Sequence, residues 1–462
     1  MRVRPAGTGR RQQQPTSRRL AVLCLCRRDR DGSVVQVHID RLIHGSSLAG
    51  PDRQLAVMLV RGVLRQQQFL DAVIARFSSV PPGKMKPLTL MALRVGVYQL
   101  FFLDRIPASA AVNETVKVLR AEKQPRWLIN FVNGVLRTVA RQRASLPGPD
   151  VAGKNGTPIL NHPDWLLRRW RARYGPERAE EICRQNNLEP PLTLRVNTRL
   201  ISREALADRC RSAGHEVRNG SYAPDALILE SGAGAIANLP GFAEGFFQVQ
   251  GEAAQLATLL LAPFAAGRSY LDACAGLGGK TGHLAQLLPA GAELTAVEPD
   301  PRRFALLGEN LRRLGADGNI TLFNGGLDEF AQSGGKRFDA ILVDAPCSGT
   351  GVIRRHPDIR WNRQEDDLRS YQRQQGLLLH AAASLLAPGG ILVYATCSLE
   401  PEENQQVIAA FRKTHSGFTP ADCRDFLPPA AGRLIAANGC FYPTPADGLD
   451  GFFAARLEYI SS

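Results

Sequence analysis

Ser269-Tyr-Leu-Asp-Ala-Cys-Ala-Gly-Leu-Gly-Gly-Lys-Thr281 is the stretch on which the fold of the C-terminal half turns. The apolar run Ser269–Ala275 has strand length, glycines then allow a sharp turn, and a helical pattern continues through Leu288. The same alternation repeats downstream. Glu293–Glu298 reads as a second strand, Asn319–Phe323 as a third, Asp339–Val343 as a fourth and Gly390–Thr396 as a fifth. Helices are predicted over Pro301–Leu314 and Leu368–Leu386. Repeated βα units predict a parallel sheet with helices on both faces. Ligands of such sheets bind outside the carboxyl ends of the strands, and the glycine loop lies at one of those ends.

Three readings of that loop compete. A dinucleotide fingerprint needs GxGxxG; Gly276 and Gly278 fit, but Thr281 holds the third position. A phosphate-binding P-loop needs GxxxxGK[ST]; Gly279-Lys280-Thr281 supplies its end, but Cys274 stands where the opening glycine belongs. S-adenosylmethionine binding asks for an acid at the end of the second strand, against the ribose hydroxyls. Glu298 is there, 19 residues after Gly279, although a carboxylate before a helix also suits the helix dipole.

The next two strand ends carry cysteines. Asp344-Ala-Pro346-Cys347 closes the fourth strand and Thr396-Cys397-Ser398 the fifth. A single free cysteine is usually a small buried hydrophobe. Two thiols at ends of strands that can lie side by side, one behind an aspartate, suit a particular chemistry. Carbon 5 of cytosine is too weak a nucleophile to accept a methyl group from a sulfonium. A thiolate adding to carbon 6 makes the ring an enamine whose carbon 5 is nucleophilic. An aspartate can hydrogen-bond N3 and the exocyclic amine, and a second thiol or base can assist release. The base must be unstacked to be reached. Spacing alone does not choose which thiol attacks.

Upstream the composition changes. Residues 1–150 hold 25 Lys/Arg against 9 Asp/Glu, a net of +16, whereas the remaining 312 residues hold 32 against 34. Such a block suits a polyanion, because each neutralised phosphate releases counterions; a solvated, Arg-rich face and tail is the plainer alternative. Apolar residues recur at helical spacing from Arg53 to Phe77, and Leu88–Leu103, Ala110–Leu119 and Arg126–Ala140 read as further helices. Ser145–Thr157, rich in Gly and Pro, reads as a linker. Residues 158–250 mix a basic amphipathic helix, Trp165–Arg173, with short strands at Leu192–Val196 and Ala226–Leu229. At 462 residues the chain suits several domains. No apolar run reaches the ~18 residues of a membrane span, and Ala21–Cys26 is too short for the core of a secretory signal. Nine scattered cysteines without zinc-type pairs suit a reducing, cytoplasmic setting, and the eight histidines predict no metal site.

Asp344–Gly351 with Val352-Ile-Arg354-Arg355-His356-Pro357-Asp358, and Tyr394-Ala-Thr-Cys397-Ser with Pro401-Glu-Glu403-Asn404, resemble the RNA cytosine-5 methyltransferase family, in its small-subunit (16S) ribosomal RNA branch. Ile106-Pro107, Val112-Asn113-Glu114 and Phe131-Val-Asn133-Gly134-Val135-Leu136 are similar to NusB-like helical RNA-binding domains. Asn161-His-Pro-Asp-Trp165, Pro190-Pro-Leu-Thr-Leu-Arg195-Val-Asn197 and Phe247-Gln-Val-Gln250 resemble the family's middle segment. The resemblance covers nearly the whole chain. It implies an all-α NusB-like domain over 15–145, a small α+β RNA-positioning module over 158–250 and an α/β Rossmann-like class I methyltransferase domain over 251–462. It implies Cys397 as nucleophile, Cys347 as the release residue and Asp344 at the base. It also implies S-adenosylmethionine held by Cys274, Ala275, Gly276, Leu277, Gly278, Gly279, Lys280, Glu298, Gly325 and Asp344. Arg354, Arg355 and His356 would meet RNA. The partner would be 16S ribosomal RNA or the assembling small subunit, with no membrane, no obligate protein partner and a monomeric enzyme. A tRNA target, an assembly or antitermination factor with an inactive catalytic domain, and a P-loop NTPase are the alternatives. Three departures stand out: Gly276-Leu277 replaces Ala-Pro, Gly325 replaces an acid after the third strand, and Gly251 replaces an aspartate.

Overall fold

The computed structural model describes residues 15–31, 34–153, 156–230, 234–316, 318, 320–334 and 336–460. The Arg-rich tail up to residue 14, and Asn319 at the start of the predicted third strand, lie outside the described residues. The chain divides into two compact units, Met1–His162 and Pro163–Ser462.

The first unit is helical: Ser17–Asp31, Val35–His38, Gly50–Arg65, Gln67–Phe77, Pro87–Phe102, Ala108–Ala121 and Arg126–Gln142 are its α-helices. Pro87–Phe102 is its axis, buried at every position from Met91 to Leu100; its surface is mostly apolar, and the two polar exceptions are paired, Arg94 with Asp71 and Gln99 with Thr115. Ser17–Asp31 was not predicted from sequence. Its apolar run inside a basic tail looked like tail, yet Leu20, Ala21, Val22, Cys24 and Leu25 are buried while Arg27 and Arg30 stay outside. The periodic run Arg53–Phe77 is two helices, not one, and the break at Gln66 has a tertiary cause. Asn161 accepts from the Phe69 amide at 3.1 Å and donates to Gln66 Oε1 at 3.0 Å, while Gln68 donates to the His162 carbonyl.

The second unit holds two sheets. β1 (Leu192–Val196), β2 (Val217–Asn219), β3 (Ala226–Leu229) and β4 (Phe247–Val249) form an antiparallel sheet in the order β2-β3-β1-β4. Leu194, Val196, Leu227, Leu229 and Phe247 pack there with Leu206 and Cys210 of the Arg203–Ser212 helix. The larger sheet comprises β5 (Ser269–Asp272), β6 (Glu293–Val297), β7 (Ile320–Phe323), β8 (Phe338–Asp344), β9 (Leu386–Thr396), β10 (Phe418–Ala421) and β11 (Phe453–Tyr459), ordered β10-β11-β9-β8-β5-β6-β7. β5 to β9 are parallel, as predicted. The sheet is nonetheless mixed: β11 runs antiparallel beside β9, with β10 beyond it. β10, four residues with Pro420 inside, carries too weak a strand signal to read from sequence.

β8 and β9 are the centre, and helices cover both faces. Leu342, Val393 and Ala395 face one core with Leu256 and Leu284. Ile341, Val343, Leu392 and Tyr394 face the other with Leu379, Val407 and Phe411. Strands buried on both faces read as continuous apolar runs, which is why these two were legible. The small sheet is fastened to the large one beside the glycine loop. Arg195, 1% exposed, donates to the Gly279 carbonyl at 2.6 Å and to Gln250, and burial pushes its guanidinium down to about 9. Asn197 donates to the Leu314 carbonyl at 2.9 Å.

Candidate active site

The C-terminal ends of β5, β6 and β7 are laced into one ledge. The Ala275 amide donates to the Val297 carbonyl, and the Glu298 carbonyl accepts from the Gly325 amide at 3.3 Å and from Asn324 Nδ2 at 2.8 Å. Gly276 and Gly278 have φ of +57° and +84°, a region that penalises any Cβ. At Gly278 a Cβ would also stand 2.7 Å from Leu307 Cδ1. The helix Gly279–Leu287 begins directly after, and nothing lies within 4 Å of the Cβ position at Gly279. The crevice wall is therefore bare backbone there.

Glu298, 2% exposed, takes the Gly276 amide on one carboxylate oxygen at 2.9 Å and the Asp300 amide on the other at 2.9 Å. A phosphate cradle offers free amides to an anion; here an acid occupies one. This geometry disfavours the P-loop reading and suits a ligand that presents hydroxyls. Cys274 packs against the apolar core beneath the loop, and burial holds its thiol well above the ordinary range. Leu277 is exposed at the loop tip.

Asp272, under the loop, is 1% exposed. It accepts from Thr281 Oγ1 at 2.7 Å and from the Cys274 amide. Burial pushes its carboxyl up to about 6, the Thr281 hydrogen bond opposes, and the Asp344 charge adds to the rise. The folded protein therefore keeps this proton up to about pH 6, whereas the unfolded chain releases it near 4. Stability falls as pH rises between those values, by up to ~3 kcal/mol for two pKa units, and is level above. Asp272→Asn removes this slope while keeping the acceptor. Urea denaturation of both proteins at pH 4, 5, 6 and 7 checks it; parallel curves would refute it.

Asp344 ends β8 and holds Lys280 Nζ at 2.5 Å. Burial works against the ammonium, but the Asp344 charge and hydrogen bond outweigh it and hold Lys280 above its ordinary value. The two cysteines meet: Cys347 Sγ and Cys397 Sγ are 3.1 Å apart, non-bonded and partly exposed. The hydrogen bond with Cys397, together with enclosure, holds the Cys347 thiol well above the ordinary range.

A residue with no role in the sequence reading joins the two loops. Glu403, 0% exposed, accepts from the Ser348 amide at 2.7 Å, from the Ser348 and Ser398 hydroxyls and from Gln375 Nε2 at 3.2 Å. Ser348 follows one cysteine and Ser398 the other. Burial raises the Glu403 carboxyl, against those four donors. The available signal was the pair Glu402-Glu403, five and six residues after Cys397, in an acidic run with no basic neighbour. The basic helix Asp164–Tyr174 clamps the same loop: Arg169 pairs with Glu400 at 2.8 Å and Glu402 at 2.6 Å, and Trp170 Nε1 donates to Glu400.

Arg354 and Arg355 are placed differently from the expectation that they meet RNA. Both donate to Asp450, at 2.7 and 2.6 Å, and Arg354 is buried. Burial opposes ionisation of Asp450, but the two arginines outweigh it and hold the carboxyl below its ordinary value. The two lost acids have stand-ins for their space. A Cβ at Gly251 would lie 2.7 Å from Asp450 Oδ2, and one at Gly325 would lie 2.6 Å from Glu329 Oε2. Among the described residues no group of three or more His, Cys, Asp or Glu is placed to hold a metal ion, and no helix is long and apolar enough to cross a membrane.

A parallel sheet closed by one antiparallel strand, with a glycine loop facing an acid and reactive side chains at the neighbouring strand ends, is the architecture of a Rossmann-like methyltransferase. Residues 258–458 match the family described as 16S rRNA methyltransferase RsmB/F, residues 15–141 match the NusB family, and residues 162–235 match the ferredoxin-like domain of RsmF/B-type methyltransferases. The ribosomal RNA small subunit methyltransferase B of Pseudomonas syringae is 40% identical over 89% of this chain and 90% of its own. A Bacillus subtilis protein described as probable ribosomal RNA small subunit methyltransferase B is 33% identical over 96% and 98%. The crystal structure of PH0851 shares the fold, with a TM-score of 0.75 at 24% identity over 96% of this chain and 99% of that one. The chain belongs to the 16S rRNA methyltransferase RsmB/F family.

Proposed function

We propose that this protein methylates carbon 5 of a specific cytosine in 16S ribosomal RNA, using S-adenosylmethionine and a covalent protein–RNA adduct. The observation that carries the reading is the 3.1 Å approach of Cys347 and Cys397 on strands that also deliver Asp344. The residues at the ledge fit the cofactor: bare backbone at Gly276 and Gly279 admits it closely, Glu298 suits its ribose hydroxyls, and Cys274, Ala275, Leu277, Gly278, Lys280, Gly325 and Asp344 border it. When bound, S-adenosylmethionine supplies an electrophilic methyl group.

Cys397 is the nucleophile: it loses its thiol proton to solvent and bonds to carbon 6 of the flipped base, and the electron pair displaced from the carbon 5–carbon 6 double bond makes carbon 5 the methyl acceptor. Asp344, its carboxylate held in place by Lys280, accepts from the exocyclic amine, and when it carries a proton it donates to N3 and stabilises the adduct. Cys347 serves release. Its thiol stays protonated while Cys397 is hydrogen-bonded to it; once Cys397 is bonded to the ring that hydrogen bond is gone, the Cys347 thiolate forms more readily, and it takes the carbon 5 proton. Loss of that proton expels Cys397. The same pair thus suits a donor early and an acceptor late.

The basic helical part, residues 15–145, and the module at 158–250 position the RNA for the catalytic part, 251–462. The enzyme acts in the cytoplasm as a monomer on 16S RNA or the assembling subunit. Methyl-labelled cofactor with unmodified small-subunit RNA tests this: label should appear in 5-methylcytosine of that RNA. Label entering tRNA instead would move the substrate, and label in neither would leave an RNA-binding factor.

A further inference from the structure

The two thiols that serve opposite ends of the methylation reaction are also partners for each other. Cys347 Sγ and Cys397 Sγ stand 3.1 Å apart although 50 positions separate them in the chain. Sulfur atoms in a disulfide are ~2.05 Å apart, so about 1 Å of closure divides this contact from a covalent bond. The backbone on both sides is already fixed. Asp344 is the register partner of Ala395 in the ladder between β8 and β9, and the Gly351 amide donates to the Cys397 carbonyl at 2.9 Å. Glu403 ties Ser348 to Ser398, the residues that follow the two cysteines. Closure is left to rotation of the two side chains.

Access sets this pair apart from the other cysteines. Six of the nine are buried, and Cys274 packs against the apolar core beneath the glycine loop. Cys347 and Cys397 are both part-exposed, in a crevice that has to admit a whole nucleotide base, so a smaller solute reaches them. Their environments also differ. The hydrogen bond with Cys397, together with enclosure, keeps the Cys347 thiol protonated, which suits it to act second, on a neighbour already oxidised. An accessible thiol with a second thiol in contact is the arrangement of redox-sensing cysteines, and disulfides in a reducing compartment are mostly of that transient kind.

We infer that Cys347 and Cys397 form an oxidative modification site, which hydrogen peroxide converts into a reversible disulfide that switches methyl transfer off. Cys397 sulfur attacks one peroxide oxygen, the O–O bond breaks, and the departing hydroxide leaves as water with the Cys397 thiol proton. Cys347 sulfur then attacks the sulfur of the Cys397 sulfenic acid. The S–S bond forms, and the displaced hydroxide takes the Cys347 proton as a second water. Two thiols lose two electrons in all, and one peroxide is reduced to two waters. The disulfide removes the nucleophile and the release thiol together, and it shields Cys397 from the irreversible sulfinic and sulfonic acids. Its effect on methylation rests on the roles proposed above for the two thiols; the bond itself rests on their geometry.

The test treats the full-length protein with hydrogen peroxide, blocks remaining thiols with iodoacetamide under denaturing conditions and digests it without reductant. Mass spectrometry should find the peptides carrying Cys347 and Cys397 joined, two hydrogens lighter than their sum. Methyl transfer to small-subunit RNA should fall in proportion to the joined fraction, and dithiothreitol should return both the free thiols and the activity. Cys347→Ala and Cys347→Ser lack the resolving thiol, so the same dose should carry Cys397 to the sulfinic acid, two oxygens heavier and unaffected by dithiothreitol. Peroxide-treated wild type in which Cys397 becomes a sulfinic acid while Cys347 stays a free thiol would overturn the inference. So would activity lost with both thiols still reduced. If the untreated protein transfers no label to RNA, the methyltransferase reading falls, and the joined peptides still decide the disulfide.

Discussion

Cys347→Ala is expected to leave the protein covalently attached to its RNA, and Cys397→Ala to form neither adduct nor product. The expectation follows from the roles argued for two thiols 3.1 Å apart. Without Cys397 nothing adds to carbon 6, carbon 5 stays a poor nucleophile, and turnover should fall by about 10⁴-fold or more, as when a nucleophile is deleted. Without Cys347 the ring is still attacked and methylated, but removal of the carbon 5 proton loses its assistant, worth roughly 10²–10⁴-fold. The adduct should then accumulate with a methyl label on it and migrate as a shifted band in a denaturing gel. An adduct trapped by Cys397→Ala would exchange the two roles. Cys397→Ser should resemble Cys397→Ala, since a hydroxyl is far less nucleophilic at neutral pH than a thiol.

Glu403→Ala carries the second large effect, this time on the scaffold. The carboxylate collects four donors from three residues at a fully buried point. Removing it leaves the Ser348 amide without an acceptor and frees two hydroxyls and the Gln375 amide, at about 1–3 kcal/mol for each buried donor left unsatisfied. A net loss of about 3 kcal/mol corresponds to a melting-temperature drop on the order of 5–10 °C. Glu403 is a positioning residue, so activity should fall further than stability explains. With Ser348 and Ser398 untied, the thiols lose their fixed separation and the ratio of trapped adduct to released product should change even well below the melting transition. Glu403→Gln keeps an acceptor for the Ser348 amide and should recover most of the stability. An alanine variant with wild-type partition between adduct and product would reduce Glu403 to a packing residue.

The elements nearest the chemistry were the most legible. β5, β6, β8 and β9 could be read because strands buried on both faces must be apolar along their whole length, and the glycine loop because its backbone conformation excludes most side chains. Asp344, Cys347 and Cys397 could be read because the first ends such a strand, the second follows it by three residues and the third stands directly after the next. Ser17–Asp31 was missed for the converse reason: its arginines dominate the composition, and its burial depends on the helices around it. Arg354 illustrates the limit most directly. Three consecutive basic residues look like an RNA contact, yet Asp450, far along the chain, takes both guanidinium groups.

By itself the sequence determined the five successive strands that become the parallel part of the large sheet, in what order the chain visits them, and that two thiols, an aspartate and a glycine loop stand at their carboxyl ends, because periodicity and backbone restriction are local properties. Only the tertiary structure decided that β8 and β9 are neighbours, so that the thiols touch; that β11 enters beside β9 in the opposite direction with β10 at the edge beyond it; and that Glu403 gathers Ser348 and Ser398 into one frame. Those are contacts between residues distant in the chain, where packing and the pairing of buried polar groups, rather than local propensity, select the partner.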